Sequence, residues 1–103
     1  VVELLLRRSA EINLQTSDGD TALMFAASKG KARVVDFLLQ HGAEINLQNS
    51  NGSSALMYAA NNGHERVVDL LLQHGAEVNL QDLKGWTALM FAARNDHERV
   101  VEL

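Results

Sequence analysis

The chain has 103 residues, 47% apolar and 21% charged, with no cysteine and a formal net charge of −4. That length and balance make one folded domain with a modest core. The lack of cysteine excludes a disulfide framework and a thiolate metal site. The acidic balance, with no basic cluster larger than Arg7-Arg8, argues against a nucleic-acid partner. No apolar run approaches the ~18 residues that cross a bilayer, and there is no signal peptide, so no membrane insertion is expected. These features fit an intracellular, cytoplasmic setting.

The chain is periodic. Gly19, Gly52 and Gly85 stand 33 residues apart, as do the tripeptides Ala22-Leu23-Met24, Ala55-Leu56-Met57 and Ala88-Leu89-Met90. Between residues 18–50 and 51–83, 21 of 33 positions are identical. A period of that size is the mark of a stacked array. Residues 1–103 therefore read as a single repeat domain. Residues 1–17 are the end of one unit, because Val1-Val2-Glu3-Leu4-Leu5-Leu6 aligns with Val34-Val35-Asp36-Phe37-Leu38-Leu39. Full units follow at 18–50 and 51–83, and 84–103 is the first two-thirds of a further one. The chain begins without methionine and ends inside a predicted helix, so it reads as a piece of a longer protein.

Each unit predicts a turn and two helices. The first helix spans Ala22–Ser28, with counterparts at Ala55–Asn61 and Ala88–Arg94. Thr21, Ser54 and Thr87 precede them, and their hydroxyls can accept a free backbone N–H. The second helix spans Ala32–Gln40, Glu65–Gln73 and Glu98 onward. Val34, Val35, Leu38 and Leu39 form one apolar stripe on it. Arg33–Asp36, Arg66–Asp69 and Arg99–Glu102 have the i, i+3 spacing of helical ion pairs. Gly42 and Gly75 stand where a left-handed residue ends a helix. The pairs Ala26-Ala27, Ala59-Ala60 and Ala92-Ala93 permit close helix contact. The polar segments 43–52 and 76–85, with the turn dipeptide Asn51-Gly52, predict extended turns or short hairpins projecting to one side. The fold expected is an all-α solenoid in which each unit buries its apolar face only against its neighbours.

The pattern Gly19-x-Thr21-Ala22-Leu23, Ala26-Ala27, Gly30, Val34-Val35, Leu38-Leu39, Gly42-Ala43 and Asn46, repeated 33 residues on, resembles the ankyrin repeat family over essentially the whole chain. The resemblance implies a protein-binding module within a larger protein, with its partner on the concave side made by turn tips and first helices. It implies no catalysis, no cofactor and no small-molecule substrate. Two departures stand out. The family's Thr-Pro-Leu-His is Thr21-Ala22-Leu23-Met24 here, which removes hydroxyl–imidazole links between neighbours and substitutes adaptable apolar packing. Asp96 stands where the other units carry Gly30 and Gly63, so a positive φ is expected at a non-glycine residue.

Chemistry finds little purchase. There is no cysteine nucleophile, no Gly-x-Ser-x-Gly turn and no phosphate loop. His41 and His74, like His64 and His97, are one period apart, and stacked helices lie roughly 10 Å from each other, too far to share a zinc ion. Asn51-Gly52-Ser53 matches a glycosylation sequon, but it falls in a repeat turn and reads as coincidence. Asn13, Asn46 and Asn79 resemble the position that asparaginyl hydroxylases modify in ankyrin repeats, with Leu38 and Leu71 placed upstream; the other reading is a turn hydrogen bond. Met24, Met57 and Met90 are expected in the core. Phe25, Tyr58 and Phe91 form a ladder expected to be partly buried between units.

Positions that keep the period build the scaffold, and those that break it are free to specialise. On the expected concave face the latter are Ser17, Asp18, Asp20, Ser28 and Lys29, then Ser50, Asn51, Ser53, Asn61 and Asn62, then Leu83, Lys84, Trp86, Arg94 and Asn95. Trp86 is the favoured anchor, because its counterparts are Asp20 and Ser53 and the scaffold does not require tryptophan there. With Arg94 and Leu83 it would anchor one end of a polar groove. The alternative is a structural spacer or consensus-like scaffold with no dedicated ligand, suggested by the regularity of the units and the bland surface of the middle one. Uncovered apolar stripes at Val1, Val2, Leu5, Val100 and Val101 predict a marginal fragment that frays or associates.

Overall fold

The fold was read from a computed structural model, which describes Val1, Leu4 and residues 11–103. Among these residues it has six helices and no strand: α1 (Ala22–Ser28), α2 (Ala32–Gln40), α3 (Ala55–Asn61), α4 (Glu65–Gln73), α5 (Ala88–Arg94) and α6 (Glu98–Glu102). Most of the alignment of residues 1–6 with a second helix, together with Val2 and Leu5, lies outside the described residues.

The first helices are short, and their starts are fixed chemically. Thr21, Ser54 and Thr87 are extended, and their hydroxyls accept at 3.3 Å from the N–H of Met24, Met57 and Met90. Each caps an N–H that has no partner inside the helix. The units then stack in two layers. α1, α3 and α5 pack side by side in one, α2, α4 and α6 in the other, and each first helix packs on its own second helix. Buried Ala27, Ala59, Ala60 and Ala92 set the close approach in the first layer. Val35, Leu38, Val67, Val68, Leu71 and Val100 fill the space between the layers.

Burial follows the neighbours. Leu23 and Met24 are 2% exposed and Leu56 and Met57 are 4% and 2%, whereas Leu89 and Met90 are 57% and 47%. Met90 therefore departs from the expected core position, because among the described residues no unit packs beyond it. Val101 is exposed as expected, but Val100 is buried, since it points back onto the preceding unit. The expected i, i+3 ion pairs do not form among the described residues. The Asp36 and Asp69 carboxylates instead accept from the Gln40 and Gln73 side chains at 3.2 and 3.0 Å, and Arg99 lies 3.8 Å from Glu65 of the preceding unit. Such an exposed pair adds little stability.

The turns are tied to one another by their backbones. In each, a hairpin-like bond closes the tip: Thr16 N to Asp20 O, Asn49 N to Ser53 O and Asp82 N to Trp86 O, all 2.9 Å. Successive tips are joined by Ser50 N to Asp18 O at 2.9 Å and Leu83 N to Asn51 O at 3.0 Å. That approach needs glycine: a Cβ on Gly52 would lie 2.8 Å from the Leu83 nitrogen.

Candidate functional site

The turn tips and the exposed side of the first helices carry every aperiodic residue singled out by the sequence. At the third tip, two of them, Trp86 and Arg94, meet around Phe91 of the aromatic ladder. The Arg94 guanidinium lies 4.7 Å from the centre of the Trp86 ring and 5.3 Å from that of Phe91, and the two rings are 5.2 Å apart and tilted by 34°. Phe91 and Arg94 are i, i+3 on α5, and helical side chains lean towards the N-terminus, which carries the arginine back over Trp86 at the turn. A cation over an aromatic face is held by the ring quadrupole. Trp86 and Phe91 are half-buried, so the cluster is fixed in place yet reachable.

This cluster lines a groove of about 560 Å³ that also includes Ser53, Leu83 and Lys84. Leu83 is among the most exposed apolar side chains of the molecule. One carboxylate, Asp82, reaches the groove, but its Oδ1 accepts from the N–H groups of Lys84 and Trp86, both at 2.9 Å. The turn is therefore held by the acid. In the preceding unit Asn49 does the same, accepting from Asn51 and Ser53.

At the first and second tips the chemistry differs. Asn49 Nδ2 donates to Asp20 Oδ1 and to the Tyr58 hydroxyl, each at 2.9 Å, and the Tyr58 hydroxyl lies 3.4 Å from Asp20 Oδ1. Burial, and next the Asp20 carboxylate, push the Tyr58 pKa up. The expected aromatic ladder is thus uneven: Tyr58 and Phe91 are half-buried, while Phe25 is exposed.

The asparagines at the far ends of the first helices are used within the scaffold. Asn62 Nδ2 donates to the Ser28 carbonyl at 2.9 Å, and Asn95 Nδ2 to Asn61 Oδ1 at 2.6 Å. Lys29 is exposed at the C-terminal end of α1. The histidines are structural in the same way. Nε2 of His64 and His97 lies 2.9 Å from the carbonyl oxygens of Ser28 and Asn61, in the unit before. Nδ1 of His41 and His74 lies 2.8 and 2.9 Å from carbonyls of their own helices. Asn13 and Asn46 accept, through Oδ1, from the N–H of Glu44 and Glu77 at 2.8 and 2.9 Å. The bonds of Asn13, Asn46, His64 and His97 supply polar links between neighbouring units. The sequence did not show them, because the partners are backbone groups some thirty residues away. Among the described residues no three His, Asp or Glu side chains come together as a metal site.

A two-layered stack of helix–turn–helix units, with tips joined edge to edge, defines a helical repeat solenoid. A model of ankyrin repeats, three copies long, matches residues 1–82 and again 42–103. The chain belongs to the ankyrin repeat family, whose members generally act as protein–protein interaction modules. No curated protein matches it. No helix is long and apolar enough to cross a membrane.

Proposed function

We propose that this chain binds a partner protein on the face formed by the turn tips and first helices, anchored at Trp86, without catalysing a reaction. The observation that carries this reading is the Trp86–Phe91–Arg94 cluster. The scaffold does not ask for it, since Asp20 and Ser53 occupy the position of Trp86 in the other units. Tryptophan and arginine dominate interface energetics when they sit at the centre of a contact. Leu83, Lys84, Asn51, Ser53 and Asp20 flank it along the tips. A cytoplasmic location belongs to the same reading.

The experiment is affinity capture with the wild-type chain and with Trp86→Ala, both checked by circular dichroism. A partner retained by the wild type and lost by the folded variant supports the assignment. Equal capture by both places the site elsewhere, and capture by neither favours the spacer. One observation speaks for the spacer: Asn61, Asn62 and Asn95 direct amide bonds to neighbouring units.

Hydroxylation of Asn46 and Asn79 also belongs to the proposal. Both asparagines are exposed, and Asn46 accepts from the Glu77 N–H through Oδ1. Mass spectrometry of the chain from its native cells, reading a one-oxygen increase at each residue, tests this.

A further inference from the structure

The open face changes charge from one end to the other, and the change is carried by residues that occupy the same place in successive units. At the tips the series runs Asp18, Asn51, Lys84. Two positions further along it runs Asp20, Ser53, Trp86, and near the end of the first helix Ser28, Asn61, Arg94. Acidic side chains thus stand at the first unit, neutral ones at the second, and cations with an indole at the third. Asp18, Lys84 and Arg94 are exposed. The cations of the first unit stand away from the Asp18–Asp20 tip: Lys29 caps the C-terminal end of α1, Lys31 precedes α2 and Arg33 lies on it.

The third tip is built to receive an anion beside an apolar group. Stacked over two rings, the Arg94 guanidinium is held in orientation, and its fork of donors meets no carboxylate among the described residues. A planar, pre-oriented guanidinium matches a carboxylate bidentately. Lys84 adds a second cation, and Leu83 with the Trp86 and Phe91 rings supplies apolar wall. Asp82 leaves one negative charge in the groove against these two cations, and its Oδ1 is committed to the N–H groups of Lys84 and Trp86.

Resting on the reading that this face binds protein, we infer that the partner presents an extended segment with an acidic residue next to a large apolar one, seated at Lys84–Trp86–Arg94, and a basic residue reaching Asp18–Asp20. Two units separate these tips. At 8–10 Å per packed layer and about 3.3 Å per residue of extended chain, the acidic and basic residues stand about five or six residues apart. The charge gradient also fixes one polarity of docking along the face, because the reversed segment meets like charges at both ends.

The test is selection from a displayed library of random peptides, about 12 residues long so as to span the face. The bait is the 103-residue chain, alongside Arg94→Glu, Lys84→Glu, Asp18→Lys and Trp86→Ala, each confirmed as folded by circular dichroism. The wild type is expected to enrich peptides that pair Asp or Glu with a neighbouring aromatic or aliphatic residue and place Lys or Arg about five or six residues away. A peptide from that pool should bind Arg94→Glu and Lys84→Glu at least about tenfold more weakly. Selection on Asp18→Lys should lose the basic residue and keep the acidic–apolar pair. Enriched peptides without the acidic residue, or binding unchanged in both charge-reversed third-unit variants, overturn the inference. If such peptides still require Trp86, the binding face survives and only its chemistry is wrong. No enrichment on any bait overturns both.

Discussion

The Nε2 of His64 lies 2.9 Å from the carbonyl oxygen of Ser28, in the unit before it. The same ring rests on Gly30, where an added Cβ would come within 2.6 Å of Nδ1. Two demands therefore meet at Gly30: a φ of 70° and room for the imidazole. Gly42 has a φ of 93° but nothing within 4 Å of its Cβ position. Gly42→Ala is expected to cost about 1 kcal/mol, the penalty of a left-handed alanine. Gly30→Ala should cost about 2–4 kcal/mol, because the crowding adds to it. Urea denaturation of the two variants checks this, and equal losses would dismiss the histidine contact.

Asn46 and Asn79 have the same place in successive units, and within these 103 residues only Asn46 has a following unit to bond. Asn46→Ala removes the bond to the Glu77 N–H and is expected to lower stability by about 1 kcal/mol, a fall in Tm of about 4–8 °C for a domain of this size. Asn79→Ala should stay within about 0.5 kcal/mol of wild type. Differential scanning calorimetry separates the two.

Asp96 has a φ of 59°, the one positive value among the described non-glycine residues. The other units use glycine at this turn. Asp96→Gly should raise stability by about 0.5–1 kcal/mol, since the left-handed conformation carries no Cβ penalty in glycine. An unchanged or lowered melting midpoint would mean that the aspartate side chain compensates for the strain.

Tyr58 is the single tyrosine, so phenolate absorbance reports on it alone. Its pKa is raised above the ordinary 10.0 by burial and then by the Asp20 carboxylate. Above that pH the unfolded chain gives up the proton before the native one does. The contribution is therefore complete below pH 10 and is lost as pH rises through the native pKa. Alkaline titration of the folded chain should give a midpoint above that of the chain in denaturant. Asp20→Asn should bring the two closer together.

The helices, their caps, the left-handed positions and the periodic stack were legible in the sequence because each depends on residues a few places apart. Thr21 capping Met24 is a local event, and its spelling is local too. The links between units were not legible. His64 and Asn46 bond to backbone atoms about thirty residues away, and a carbonyl leaves no letter in the sequence. The proposed anchor was partly legible: Trp86 broke the period, but only the lean of Arg94 across Phe91 showed that indole and guanidinium meet.

Leu23-Met24, Leu56-Met57 and Leu89-Met90 mark the division most sharply. The sequence by itself made all three the same, as the start of a capped helix with an apolar face. The tertiary structure decided that the first two are core, while within these 103 residues the third meets no further unit and is exposed, because burial belongs to the pair of units in contact and not to either one. The same holds for the proposed binding face. Sequence set the charges of Asp18, Asn51 and Lys84, and stacking in register turned three separate positions into one gradient.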